Sequence, residues 1–173
     1  MTVASLEMSD EPKIFGELLM TIESGYRGMK IRLAYGEKEF SVPRNLFIIG
    51  MMNTADRSIA LIDYALRRRF SFFKMKPGFE TEGFVHLLDK AANTKLNRLV
   101  DTIKSLNEEI SKDASLGEGF EIGHSYFCKG GEVDDMWLST LVEYDLIPQL
   151  EEYWFDNDKE VEKWSEQLRM AIK

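Results

Sequence analysis

The chain has 173 residues, 44% hydrophobic and 30% charged, a balance that suits one globular domain, or a domain with a small appendage, built on a real core. No apolar run approaches the ~20 residues that span a bilayer; the single cysteine, Cys128, excludes an internal disulfide, and with only two histidines beside it the composition argues against a dedicated zinc site. The net charge of −8 opposes direct contact with nucleic acid or an anionic membrane, and one lone thiol fits a reducing, cytoplasmic location.

The first residues, Met1 to Glu11, show no basic segment followed by an apolar stretch, so they are not a secretory signal. A helix is predicted over 12–25, where Ile14, Leu18, Leu19 and Ile22 recur at helical spacing, Pro12 suits the first turn and Gly25 is a stop. Strands are expected over 29–50. Met29, Ile31 and Leu33 alternate with polar neighbours, residues 35–39 form a turn, and Phe40 and Val42 resume the alternation. Leu46-Phe47-Ile48-Ile49-Gly50 is a continuous apolar run, the pattern of a strand buried on both faces of a parallel sheet. A helix is predicted over 58–67 on the stripe of Ile59, Ile62 and Leu66, and Phe70 to Phe73 reads as a further strand.

Past Pro77 the pattern turns helical. Leu96, Leu99, Val100, Ile103, Leu106 and Ile110 mark an amphipathic helix over 95–112. Glycines at 117, 119 and 123 punctuate a loop. Trp137, Leu141 and Tyr144 mark a helix over 135–153, bent at Pro148, and Val161, Trp164 and Leu168 mark the last, over 158–171. The expected organisation is therefore an α/β part to residue 77 and a helical part over 78–173.

The segment from Leu46 to Phe73 concentrates the candidate chemistry. In an open parallel sheet, ligands bind beyond the carboxyl ends of strands, and Asn53, Thr54 and Asp56 follow such a strand directly. Asn53 has the chemistry to orient a water or touch a phosphate, and Asp56 to accept from the donor edge of a base. Either residue also suits an N-cap on the next helix, and the residues by themselves favour the cap. Arg67, Arg68, Arg69, Lys74 and Lys76 form a cationic cluster with no acid among them. Arginines at a helix end complement its dipole, yet guanidinium also binds phosphate oxygens bidentately and, supplied across a subunit interface, stabilises a transferring phosphoryl group.

Two strings, Phe47-Ile-Ile-Gly-Met-Met-Asn-Thr-Ala-Asp-Arg-Ser58 and Asp63-Tyr-Ala-Leu-Arg-Arg-Arg-Phe-Ser71, together resemble the McrB family of AAA+ GTPases, which power 5-methylcytosine-dependent DNA restriction. The resemblance extends to Lys13–Met20, Gly119–Phe127 and Pro148–Phe155, nearly the whole chain from Lys13 on. It implies a partial AAA+ (P-loop NTPase-like) core with a parallel sheet over 1–77, followed by an all-helical lid over 78–173. It implies GTP or ATP with Mg2+ as cofactor, Asn53 as the sensor that positions the attacking water, and Asn53 to Asp56 as the element associated with GTP use. It implies Arg68 and Arg69 as exposed finger arginines acting on a neighbouring subunit's nucleotide, and His124 near the site, as ligand or as packed histidine. It implies a hexamer-like homo-oligomeric ring, a McrC-like nuclease partner and only indirect contact with DNA.

The chain departs from the family pattern at one decisive place. The phosphate loop Gly-x-x-x-x-Gly-Lys-Ser/Thr is absent, and no glycine is followed by lysine anywhere in the 173 residues. Asp10 and Glu11 sit too close to the next helix, after a poor strand, to serve as the magnesium motif. Residues 1–12 are accordingly expected to be the ragged start of a truncated reading frame. The expectation is a C-terminal motor portion inactive by itself; the alternative is a nucleotide-free module that docks into rings of intact relatives.

Overall fold

The computed structural model describes residues 2–7, 18–32, 39–51 and 67–173. It divides into two compact units, Met1–Lys74 and Met75–Lys173.

In the first unit, strand β1 (Thr2–Glu7) pairs in parallel with β4 (Leu46–Met51), in register from Thr2 with Leu46 to Glu7 with Met51. Residues 2–7 thus form a strand where the sequence suggested a poor one. Helix α1 (Leu18–Ile22) is followed by β2 (Ile31–Arg32) and β3 (Glu39–Phe40), an antiparallel pair as the alternation predicted. Arg27 ties these pieces together. Its Nε donates to the carbonyl of Ile22 at 3.1 Å, at the end of α1, and its Nη1 to the carbonyl of Leu46, at the start of β4. Gly28 takes a positive φ of 85° there, and its N–H donates to Val42 at 2.8 Å.

Two expectations for this unit are corrected. The run Leu46–Gly50 is a strand, but it is not buried on both faces: Phe47, Ile49 and Met51 are 54%, 55% and 59% exposed. Its sheet has two strands among the described residues, and only Leu46 and Ile48 of β4 are partly buried. Phe70–Phe73 is not a strand: residues 71–78 run without regular structure, and Phe73 is 89% exposed. A strand needs a ladder partner for its backbone groups, and none pairs with this segment among the described residues. Of the helix expected over 12–25, residues 12–17 lie outside the described residues and the rest is helical over Leu18–Ile22; of the one expected over 58–67, all but Arg67 lies outside them.

The second unit has its own core. Helix α2 (Glu82–Ala91) ends on Ala92, whose φ of 47° is left-handed. Asn93 then caps α3 (Thr94–Lys112), its side-chain oxygen accepting from the N–H of Lys95 and of Leu96 at 3.0 Å each. The stripe of α3 is fully buried, with Leu96, Leu99, Ile103, Leu106 and Ile110 at 0% exposure. Short 3₁₀ turns at Glu118–Phe120 and His124–Phe127 fold the glycine loop back, the first of them against α3. Asp134 caps α4 (Asp135–Thr140) through the Trp137 N–H at 2.7 Å.

The helix predicted over 135–153 is continuous but changes pitch. Leu141–Leu146 is a π-helical stretch, and α5 (Ile147–Tyr153) begins with Pro148 in its first turn. Proline has no N–H to give and crowds the carbonyl four residues back, so a wider turn before Pro148 accommodates it where a simple bend was expected. Helix α6 (Asp158–Ala171) closes the unit against α3 and α5. Arg169 of α6 grips Glu143 of the π stretch bidentately at 2.6 and 2.7 Å, which holds the Glu143 carboxyl below its ordinary range. No helix among the described residues is long and apolar enough to cross a membrane.

Candidate functional site

Of the residues singled out by the sequence, Asn53, Thr54 and Asp56 lie outside the described residues. The strand that leads to them is present: β4 ends at Met51. Arg68 and Arg69 follow at Arg67–Phe70, in a turn that closes a helical end. Arg68 is exposed, as expected. Arg69 is not: its side chain is 18% exposed, and its Nη2 lies 2.8 Å from Glu23 Oε1, just beyond α1. The correction is physical. A guanidinium withdrawn from water takes a carboxylate partner, and Glu23 supplies one here. Of the two candidate finger arginines, Arg68 alone presents an exposed side chain.

His124 belongs to the second unit. Its ring stands edge-on to Phe84 at 5.7 Å and to Phe79 at 6.2 Å, and its Nδ1 accepts the Gly78 N–H at 2.9 Å. An Nδ1 that accepts carries no proton, so the neutral ring has its N–H on Nε2. Gly78 is needed for the fit: a Cβ there would lie 3.0 Å from His124 Cε1 and 3.2 Å from Nε2. The loop before His124 is fixed from the other side. Asn107 is a buried amide on the apolar stripe of α3; its Oδ1 accepts the Ile122 N–H at 2.7 Å and its Nδ2 donates to the Ile122 carbonyl at 2.9 Å.

Sequence reasoning marked His124 but missed Gly78 and Asn107. Gly78 carried no signal beyond its place after Pro77. Asn107 did carry one: it is a polar residue four past Ile103 and three before Ile110, on the face otherwise filled by leucine and isoleucine. A polar side chain at a core position needs a partner, and the glycine loop supplies it.

Asp113, at the end of α3, has a carboxyl held down to about 2 by the Ser115 hydroxyl, then by the Trp154 indole N–H at 2.9 Å and the Ser115 backbone N–H. Burial of the Tyr153 phenol raises its pKa, against a hydrogen bond from Gln149 at 2.6 Å. These groups staple Pro148–Phe155 to α3 and to its own helix. Their hydrogen-bond partners all lie within the helical unit. Among the described residues no three His, Cys, Asp or Glu side chains converge as metal ligands. These residues do not by themselves make a site for a triphosphate and its magnesium.

A helical unit of this kind, built on a long capped helix with a glycine loop pinned to it, is a lid of the McrB class: residues 98–162 match the family model for the McrB alpha-helical lid domain. The similarity extends beyond the lid. Over 168 residues, 90% of this chain, the sequence is 48% identical to the Type IV methyl-directed restriction enzyme EcoKMcrB subunit of Escherichia coli (strain K12). The chain is McrB-type. It spans 37% of the length of that relative.

Proposed function

We propose that this chain serves as part of a McrB-like restriction-system motor, an AAA+ nucleoside triphosphatase in which a partial P-loop-type core carries the helical lid. The observation that carries the reading is the 48% identity to a methyl-directed restriction enzyme subunit, which runs through the core region as well as the lid. On this reading Asn53 positions the attacking water, and Thr54 and Asp56 face the nucleotide, GTP or ATP with Mg2+. Arg68, exposed at a helix end within a cationic cluster, reaches the nucleotide of a neighbouring subunit in a ring. Arg69 supports that turn through Glu23 and joins it only when the ion pair opens. His124 has its Nδ1 engaged and retains only its Nε2–H as a donor toward a ligand. A McrC-like nuclease is the partner, and DNA is reached indirectly.

Triphosphate affinity in such motors rests on backbone amides and a lysine around the β- and γ-phosphates, and the 173 residues contain no Gly-Lys pair. The nucleotide on which Arg68 acts is therefore one held by another subunit. Calorimetry of this chain with GTP or ATP in magnesium should show no tight binding. Added to an intact McrB-type protein carrying an alanine in place of its own finger arginines, the chain should restore phosphate release, and Arg68→Ala should abolish the restoration. Finger arginines are worth about 10³–10⁵ in rate in related systems, so even inefficient docking is measurable. Docking without restored turnover would leave a nucleotide-free binding module. Micromolar nucleotide binding by the chain alone would refute the assignment of the nucleotide to another subunit.

A further inference from the structure

The second unit begins at Met75, and its lead-in, residues 75–78, has no helix or strand of its own. Such a segment is held only by what its backbone and side chains reach. Phe79 is buried at 6% exposure and anchors the segment's far end. Ahead of it, the Gly78 N–H has a single acceptor, His124 Nδ1, 46 residues away at 2.9 Å. The imidazole covers the Gly78 α-carbon so closely that a methyl group there would meet the ring at 3.0 Å. The ring itself packs edge-on against Phe79 and Phe84, which also touch each other, and the backbone two residues before it is gripped on both sides by Asn107. A line of contacts therefore runs from the middle of α3, through Ile122, to the first residues of the unit.

We infer that His124 is a positioning residue that clamps the lead-in segment 75–79 to the helical unit, with Asn107 as the fixed end of the clamp. The chemistry selects the residue type. A clamp on a main-chain N–H needs an acceptor, and edge-on packing against two phenylalanines suits a flat ring; histidine supplies both. Glycine at 78 lets the two approach. The clamp makes the path of the chain into the unit a property of α3, which is the most completely buried helix of the unit. This inference does not depend on nucleotide, so its failure and that of the proposed function are separate results.

The test uses the full 173-residue chain labelled with ¹⁵N. A ¹⁵N–¹⁵N coupling across the hydrogen bond between Gly78 and His124 Nδ1 is expected in the unmutated chain, and its absence would overturn the inference before any variant is made. His124→Phe keeps a ring packed against Phe79 and Phe84 but removes the acceptor. It should speed amide exchange at Gly78 about tenfold, the worth of one hydrogen bond, while core amides of α3 keep their rates. His124→Asn places an oxygen where Nδ1 stood and should recover most of the protection. Gly78→Ala should loosen the same segment, and the pair Gly78→Ala with His124→Ala should show no further loss than His124→Ala alone. Equal acceleration at Gly78 and throughout α3 would mean that His124 is general packing, and unchanged exchange at Gly78 in His124→Phe would mean that it holds nothing.

Discussion

Asn107→Leu tests the architecture of the lid at its most exposed point of logic. Leucine matches the apolar face of α3 and is close to asparagine in size, so a reading of that face as simple core predicts little harm. The structure predicts otherwise. The substitution strands both the N–H and the carbonyl of Ile122, which is itself 1% exposed and cannot turn to water. Each unsatisfied buried group costs about 1–3 kcal/mol, and the added apolar burial returns part of the sum. A net loss of about 3 kcal/mol follows. All three tryptophans, Trp137, Trp154 and Trp164, lie in the second unit, so fluorescence-monitored urea unfolding reports on it directly. With a denaturant slope of about 1.5 kcal/mol/M, within the ~1–3 range of small proteins, the midpoint should fall by about 2 M. Asn107→Asp sharpens the test. It keeps the acceptor for the Ile122 N–H but turns a second oxygen on the Ile122 carbonyl, which disfavours the ionised form and raises the carboxyl pKa. A raised acid pKa costs stability above the unfolded value and less as the group protonates, so this variant should gain stability on acidification from pH 7 toward 5. A midpoint within 0.3 M of the parent for Asn107→Leu, a bound of about 0.5 kcal/mol, would refute the reasoning.

Ile103→Ala opens a cavity at a fully buried position of α3 and should cost about 2–5 kcal/mol in the same assay. Asp113→Asn removes a carboxylate whose pKa is depressed to about 2; because a depressed pKa gives stability above the ordinary 3.8 that is lost as pH falls toward 2, the parent should weaken across that window and the variant should not. The group is largely solvated, so the difference should stay below about 1 kcal/mol. Glu143→Gln breaks the bidentate grip of Arg169 on the π stretch and should cost about 0.5–1 kcal/mol, with the loss in the parent growing as acid protonates Glu143.

The parts of the fold legible in the sequence are those whose periodicity is complete within one segment. The stripe of α3 and that of α6 announced themselves because the apolar residues at helical spacing in each, Leu96 to Ile110 and Val161, Trp164 and Leu168, all pack against the same core. Helix α2 went unread although Phe84, Leu87, Leu88 and Ala91 hold helical spacing, because Gly83 in its first turn masks the signal. The π stretch was unreadable in detail, since a helical pattern with a proline predicts a disturbance without its form. The strand errors have one cause: whether Leu46–Met51 is buried, or Phe70–Phe73 paired, depends on neighbours that no local pattern names. The candidate site shows the same division. His124 stood out by type and by motif, but its acceptor role needed Gly78, 46 residues away in sequence, and only the folded backbone reveals that pair.

The two units differ in what their sequences ask for. The second buries a full core of its own, from Phe79 to Ala171, and caps α3 and α4 with side chains that the same unit provides. In the first, Thr21 and Val42 are buried, while β4 presents Phe47, Ile49 and Met51 to solvent. Parallel strands are ordinarily covered on both faces, because each crossover lays a helix on the sheet. A parallel pair with an apolar strand left open is therefore a surface made for cover. The identity to the restriction-enzyme subunit spans both units although this chain corresponds to 37% of that protein. The order of stability follows: amides of α3 should outlast those of β4 in hydrogen exchange, because α3 lies in a closed core and β4 rests on one neighbouring strand.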